Sequence, residues 1–390
     1  MSLAEMTNVA ESFALRVAIL SDSDTQRVNL KQLLESSGLR VVENEIVNER
    51  SVRRIDDACV DVLLVDLDEN SDHDFDFLDE LLDSPLPILF NDGHATRMRA
   101  AQRRGDWGRN LARKLEDVAR EAGTYIPPEQ EVVDDAIDEA VASSVENTAV
   151  DEASAPAATE SGYYAEAQYL DAIIEEQIRE SEAELKAEDN AEPSVIPEAE
   201  AAVDVWVLGA SIGGPQSVKR FLAAIKEPLP VSFVLAQHIG ENFVSLLARQ
   251  LDHITAMNVM SAQEGHLLRH NDVIIAPVNE RVAINKHGII ELKPINFESI
   301  YSPSIDAVMT DICLRYGTHT GSIMFSGMGN DGVRGSQLIA ARGGHVWAQD
   351  SDSCVISSMP DSSRRAGIVS FTGTPEELAS HVIEHFREQS

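Results

Sequence analysis

The run Val203-Asp-Val-Trp-Val-Leu-Gly-Ala-Ser-Ile-Gly-Gly-Pro-Gln216 constrains this chain more than any other stretch. Val205, Val207 and Leu208 make a short apolar run rich in β-branched residues, the pattern of a buried strand. Gly209, Gly213 and Gly214 punctuate a tight turn. Pro215 suits the first turn of a helix, where its missing N–H costs nothing. Phe221, Leu222 and Ile225 continue at helical spacing. Ser211 is thereby expected on a sharp strand-to-helix turn, inside Gly-x-Ser-x-Gly. Such a turn exposes the hydroxyl and aims backbone N–H groups of the helix start, around Ile212 and Gly213, at the same point. An acyl-transfer nucleophile and its oxyanion donors belong there. A glycine-rich turn between strand and helix can also cradle a phosphate. The dinucleotide fingerprint, however, wants Gly-x-Gly-x-x-Gly and an acid near the end of the next strand. The next strand, Val231 to Ala236, ends instead in Gln237-His238.

The rest of this half continues the alternation. Phe243 to Leu251 reads as a helix, and Met257-Asn-Val-Met begins a set of short strands. These include Asp272 to Ile275, Arg281 to Asn285 and Gly288 to Leu292, with Lys286-His287-Gly288 as a hairpin turn. Ser304 to Arg315 is helical, with Ile305, Val308, Met309 and Ile312 on one face. The buried strand from Gly321 runs into Gly327-Met-Gly-Asn-Asp-Gly332, a helix covers Val333 to Ala341, and His345 to Ala348 is a further strand. The expected fold is a doubly wound α/β parallel sheet with a β-hairpin insertion. Its strand ends carry Ser211, His238 and Asp331 to one rim. A serine hydroxyl needs a neutral imidazole to take its proton, and a carboxylate to fix the tautomer. Ser211 is the candidate nucleophile, His238 the base and Asp331 the orienting acid. The other histidines are weaker candidates: His253, His266, His270, His287 and His319 read as solvated loop or helix-end residues, and His345 as packing or capping.

Several ordered motifs carry a resemblance. They are Gly209-Ala-Ser-Ile-Gly-Gly-Pro215, Gln237-His238, Ile275-Ala-Pro277, Tyr301-Ser-Pro-Ser-Ile-Asp306, Gly327-Met-Gly-Asn-Asp-Gly332, Gln349-Asp350 and Ser357-Ser-Met-Pro360. Over residues 203–390 the chain resembles the chemotaxis protein-glutamate methylesterases, the CheB family. The resemblance implies a cytoplasmic enzyme that hydrolyses γ-glutamyl methyl esters on chemoreceptor helices and releases methanol. Many members also deamidate glutamines. It implies catalysis by Ser211, His238 and Asp331, with the Met328 region helping at the oxyanion site. No cofactor is implied. The partners implied are the cytoplasmic helices of a methyl-accepting chemoreceptor, with a chemosensory histidine kinase behind them. Ile212 departs from the family's usual Thr. Two other readings compete: a pseudoenzyme that only binds receptor helices, and a general small-ester hydrolase. The complete triad argues against the first. The polar, glycine-rich rim argues against the apolar pocket that the second would need.

Residues 15–122 form a second alternating pattern, with strands at Arg16 to Asp22, Leu39 to Val42, Asp61 to Asp66 and Pro87 to Phe90. Helices are expected at Val28 to Leu34, Val52 to Ala58, Phe77 to Leu82 and Leu111 to Ala122. These residues resemble a response-regulator receiver, a flavodoxin-like α/β domain. Asp66 matches the phospho-acceptor position and Asp22 one member of the acidic magnesium pair. Ser21 stands where the second acid belongs, Asn91-Asp92 where the family has Ser or Thr, and no Lys-Pro follows. The module therefore reads as a degenerate receiver, with no phosphorylation or metal site assigned and Asp66 as a solvated strand-end carboxylate. Residues 1–14 read as a tail.

Between the two halves, over 123–202, Ala, Glu, Asp, Ser and Pro dominate and aromatics are few. Such a segment cannot bury enough apolar surface to offset its ordering entropy, so a disordered acidic linker is expected. Within it Leu170, Ile174 and Ile178 are four apart, which predicts a helix over 163–186, either a transient helix or a docking helix. The whole chain has a formal net charge of −35, which argues against nucleic-acid binding. No run of about 18 apolar residues predicts membrane insertion. Cys59, Cys313 and Cys354 are far apart in apolar segments and read as core thiols in a reducing compartment.

Overall fold

The computed structural model describes residues 14–55, 59–67, 80–82, 84–91, 101–127, 201–295 and 301–388. The expected helix over 163–186 and all but the ends of the acidic segment lie outside the described residues.

The N-terminal unit runs β1 (Arg16–Ser21), α1 (Asp24–Ser36), β2 (Arg40–Ile46), α2 (Glu49–Val52), β3 (Val62–Asp66), β4 (Ile88–Asn91) and α3 (Ala101–Glu121). Its four strands are parallel in the order β2-β1-β3-β4. Helix α1 begins four residues before the first apolar position at Val28. The cause is a capping box: Ser23 accepts from the Gln26 N–H, and the Gln26 side chain accepts from the Ser23 N–H. Helix α2 occupies Glu49–Val52 and so ends where the helix expected over Val52 to Ala58 was to begin: Asn48 accepts from the Arg50 and Ser51 amides and starts it early, residues 53–55 are not helical, and 56–58 lie outside the described residues. The inner strands β1 and β3 are buried on both faces. Val17, Ile19, Val62 and Leu64 share a cluster with Leu30, Leu34, Leu111 and Leu115 of α1 and α3, as a covered parallel sheet requires. Asp66 is fully buried and accepts a hydrogen bond from the Asn91 side-chain amide. It is not the solvated carboxylate expected of a strand end, because β4 places Asn91 directly beside it.

The second unit is a seven-stranded parallel sheet in the order β13-β12-β11-β5-β6-β8-β7. Its elements are β5 (Val205–Ala210), α4 (Gly214–Ala224), β6 (Ser232–Gln237), α5 (Glu241–Asp252), β7 (Asn258–Ser261), β8 (Asp272–Ile275), the antiparallel hairpin β9 (Glu280–Ile284) and β10 (Ile290–Pro294), α6 (Ile305–Tyr316), β11 (Thr320–Met324), α7 (Val333–Ala341), β12 (His345–Gln349), α8 (Ser358–Arg365), β13 (Phe371–Gly373) and α9 (Pro375–Glu388). The doubly wound architecture and the hairpin match the expectation. The elements beyond β12 were not anticipated, although α9 carries a helical stripe of Leu378, Val382 and Phe386. Alternate residues of the central strands feed two cores. Trp206, Leu208, Phe233 and Leu235 share one with residues of α4, α5 and α9, while Val205, Val207, Val234 and Ala236 share the other with residues of α6 and the hairpin.

From β5 the chain proceeds to β6 on one side, and later returns to the other side of β5 with β11. The winding reverses between the carboxyl ends of β5 and β11, the place where open α/β sheets build their sites. Among the described residues no helix is long and apolar enough to cross a membrane. Cys313 is buried, but Cys59 is exposed and Cys354 half-buried, so only the first is a full core thiol. Cys59 lies in the turn before β3 and not on a strand, which removes the apolar surroundings expected for it.

Candidate active site

The Ser211 turn is held by backbone and buried amides. The Ser211 N–H donates to the Ser326 carbonyl at 3.0 Å, and the Gly214 N–H donates back to the Ser211 carbonyl at 2.9 Å. The Gln237 side-chain amide donates to the same Ser211 carbonyl at 2.9 Å. Ser326, just past β11, is fixed in turn: its N–H donates to the Gln349 side chain at 2.9 Å and its hydroxyl donates to the Ile212 carbonyl at 2.8 Å. Ser326, Gln237 and Gln349 are buried, so each unmade bond would carry a desolvation cost. Two glycines admit this close approach. Gly213 has φ +74°, and a Cβ there would fall 2.5 Å from both the Ser326 hydroxyl and Val355 Cβ. A Cβ on Gly327 would fall 2.8 Å from Ser211 Cβ.

His238 follows β6, where its N–H donates to the Ala210 carbonyl at 2.9 Å. Its Nδ1 lies 3.1 Å from the Ser211 hydroxyl and its Nε2 2.8 Å from the Asp331 carboxylate. Asp331 is only 2% exposed. It sits over the start of α6 and accepts from the Ile305 N–H at 2.8 Å and the Asp306 N–H at 2.9 Å. Orphan amides and the positive end of the helix dipole thus hold the carboxylate in place. Asp306 reciprocates toward α7, accepting from the Gly335 N–H at 2.7 Å. A proton on Nε2 faces Asp331, which leaves the Nδ1 lone pair toward Ser211. The arrangement can therefore take a proton from the serine hydroxyl and keep the resulting imidazolium beside an anion.

The three residues singled out in the sequence are brought together. Among the described residues, the Ile212 and Gly213 amides donate to no protein acceptor. The side chains of Ile212 and Met328 turn elsewhere: with Val355 they share an apolar cluster with Leu33, Trp107 and Leu111 of the N-terminal unit. The family's hydroxyl at position 212 would be misplaced in such surroundings. The same interface carries a hydrogen bond from Ser358 to Glu121 at 2.7 Å, one from Asn242 to the Leu67 carbonyl at 3.1 Å, and an edge-to-face pair of Phe90 with Phe243. Sequence reading gave no role to Tyr301, Ser326, Gln237 or Gln349, although all but Ser326 stand in the quoted motifs. His319 is exposed as expected and hydrogen-bonds to Asp204 at 3.0 Å, whereas His266 is half-buried and hydrogen-bonds to Asp272 at 3.2 Å, because the fold brings those acids alongside.

Residues 206–382 match the family model described as CheB methylesterase. Among curated relatives, a protein-glutamate methylesterase/protein-glutamine glutaminase of Moorella thermoacetica is 30% identical over 192 residues, 48% of this chain and 45% of that protein. One of Pseudomonas putida is 31% identical, covering 45% of this chain and 47% of that protein. One of Saccharophagus degradans is 33% identical, covering 43% and 46% respectively. The chain spans about half the length of the curated relatives it matches. A crystal structure of the CheB methylesterase catalytic domain of Thermotoga maritima is 26% identical with a TM-score of 0.45, covering 46% of this chain and 97% of that one. The domain match and the named relatives fall on one stretch, and it is over residues 206–382 that this chain is similar to the CheB methylesterase family.

Proposed function

We propose that the chain is a protein-glutamate methylesterase working by a Ser-His-Asp mechanism on a methyl-accepting chemoreceptor in the cytoplasm. The observation that carries the reading is the continuous line from the Ser211 hydroxyl through His238 to Asp331, at 3.1 and 2.8 Å, inside a methylesterase-type domain. Ser211 Oγ attacks the ester carbonyl carbon while its proton passes to His238 Nδ1. The carbonyl electron pair moves to oxygen, facing the Ile212 and Gly213 amides, with the Met328 loop opposite. Collapse breaks the bond to the methoxy oxygen, which takes the proton from Nδ1 and leaves as methanol. Water then attacks the acyl-enzyme as His238 Nδ1 takes its proton, the bond to Ser211 Oγ breaks as Oγ takes that proton back, and the receptor's glutamate carboxylate departs. Asp331 stays ionised and holds the imidazole in the productive tautomer.

The relatives' names also include glutaminase, and the same steps would release ammonia from a receptor glutamine. In this reading residues 203–390 are the catalytic domain, 15–122 a receiver-like module, 123–202 a tether and 1–14 a tail, with a chemosensory kinase as an upstream partner. The test is methanol release from methylated receptor by wild type and by Ser211→Ala. A binding-only protein would release none in either case.

A further inference from the structure

We propose that Tyr301 is a positioning residue for the His238 imidazole, and this rests on the proposed role of His238 as base. The two rings lie face to face, with centroids 5.0 Å apart and planes inclined by only 7°. The hydrogen bonds at Nδ1 and Nε2 fix two atoms of the imidazole. Rotation about the Cβ–Cγ bond is opposed at the ring only by those two contacts, and such rotation swings the Nδ1 lone pair away from the serine hydroxyl. A flat contact on one face removes that freedom. The π face also attracts the imidazolium that forms when the serine proton arrives, an interaction absent from the neutral ground state.

Two features of the surroundings support a built contact. Tyr301 opens the same segment that ends in Ile305 and Asp306, whose amides grip Asp331. One six-residue stretch thus steadies both the base and its acid. Opposite it, Gly329 has φ +96°, and a Cβ there would fall 2.8 Å from the Tyr301 hydroxyl oxygen. The loop that carries Asp331 therefore makes room for the tyrosine.

The experiment uses the full chain with p-nitrophenyl acetate, with Ser211→Ala as the blank, beside methanol release from methylated receptor. Tyr301→Leu and Tyr301→Met remove the π face, and Tyr301→Phe keeps it. The expected result is a kcat lowered roughly two- to thirtyfold in the Leu and Met variants, the span of cation–π contacts from exposed to desolvated. KM should stay within about twofold, and Phe should restore the rate, since the contact is made by the ring and not the hydroxyl. Thermal melts separate misfolding from mispositioning; if one aliphatic variant fails to fold, the other is read. Unchanged kcat in the folded aliphatic variants would overturn the proposal. So would a Phe variant as slow as they are, or a loss confined to KM. Loss of methanol release with Ser211-dependent acetate hydrolysis intact would count against the receptor methylesterase reading and leave Tyr301 standing.

Discussion

Gly213 shows how a single residue sets the site. Its φ of +74° is a conformation that a side chain adopts only at a cost of about 1–2 kcal/mol. An added methyl group would also meet the Ser326 hydroxyl and Val355 Cβ at 2.5 Å, and overpacking of that kind costs about 1–3 kcal/mol more. Neither neighbour can retreat easily: Ser326 is fixed by Gln349, and Val355 lies in the cluster shared with the N-terminal unit. Gly213→Ala should therefore lower stability by about 2–5 kcal/mol and, by shifting Ser211, cut turnover roughly 10²-fold. Thermal denaturation and esterase rates check it, and a variant that melts and turns over like wild type would contradict it. The special glycines were legible in the sequence because turn chemistry is local. The partners of His266 and His319 were not, because Asp272 and Asp204 become neighbours only through sheet pairing.

At the scale of elements, β12 and α9 meet through a cluster of rings at the end of the sheet remote from Ser211. His345 and His385 stand 4.7 Å apart beside the Trp206–Trp347 pair, and His381 stacks on Phe371 at 3.9 Å. Partial desolvation by its ring neighbours holds His345, still exposed at the strand start, below the ordinary histidine value, and the neighbouring His381 adds to it. Burial likewise lowers His385, with His345 and His381 adding and Asp204 and Glu388 opposing. A lowered value in the fold means that the unfolded chain binds more protons in the window between the folded value and about 6.5. The contribution to stability is therefore complete above that ordinary value and is lost as pH falls through the window. Melting temperature should drop between about pH 7.5 and 5.5, and drop less in a His345→Gln, His385→Gln double variant. Equal slopes in both proteins would contradict this. Helix α7 was readable to the residue, and β13 was missed because a three-residue strand owes its form to packing. Helix α9 was missed although its pattern is local: Leu378, Val382 and Phe386 lie four apart behind a Thr374–Glu377 capping pair.

At the scale of the molecule, the N-terminal unit shares an apolar cluster with Ile212 and Met328, beside the nucleophile. The two-unit layout and the sheet type followed from the alternation of strands and helices. The interface between the units did not, because no local pattern says which apolar residue faces another unit. Asp66 is enclosed and already hydrogen-bonded by Asn91. A phosphodonor shifts a domain equilibrium only through contacts that differ between two states, so acetyl phosphate with magnesium should change the esterase rate less than about twofold. A several-fold activation that disappears in Asp66→Asn would contradict that. The central claim is that Ser211, raised on its turn and deprotonated by His238, cleaves a glutamyl methyl ester. The most direct measurement is methanol released from methylated chemoreceptor by the full chain, wild type against Ser211→Ala with matched melting temperatures. The account predicts release by wild type and a loss of about 10⁴-fold or more in the variant. Methanol release by a folded Ser211→Ala protein at near the wild-type rate would contradict it.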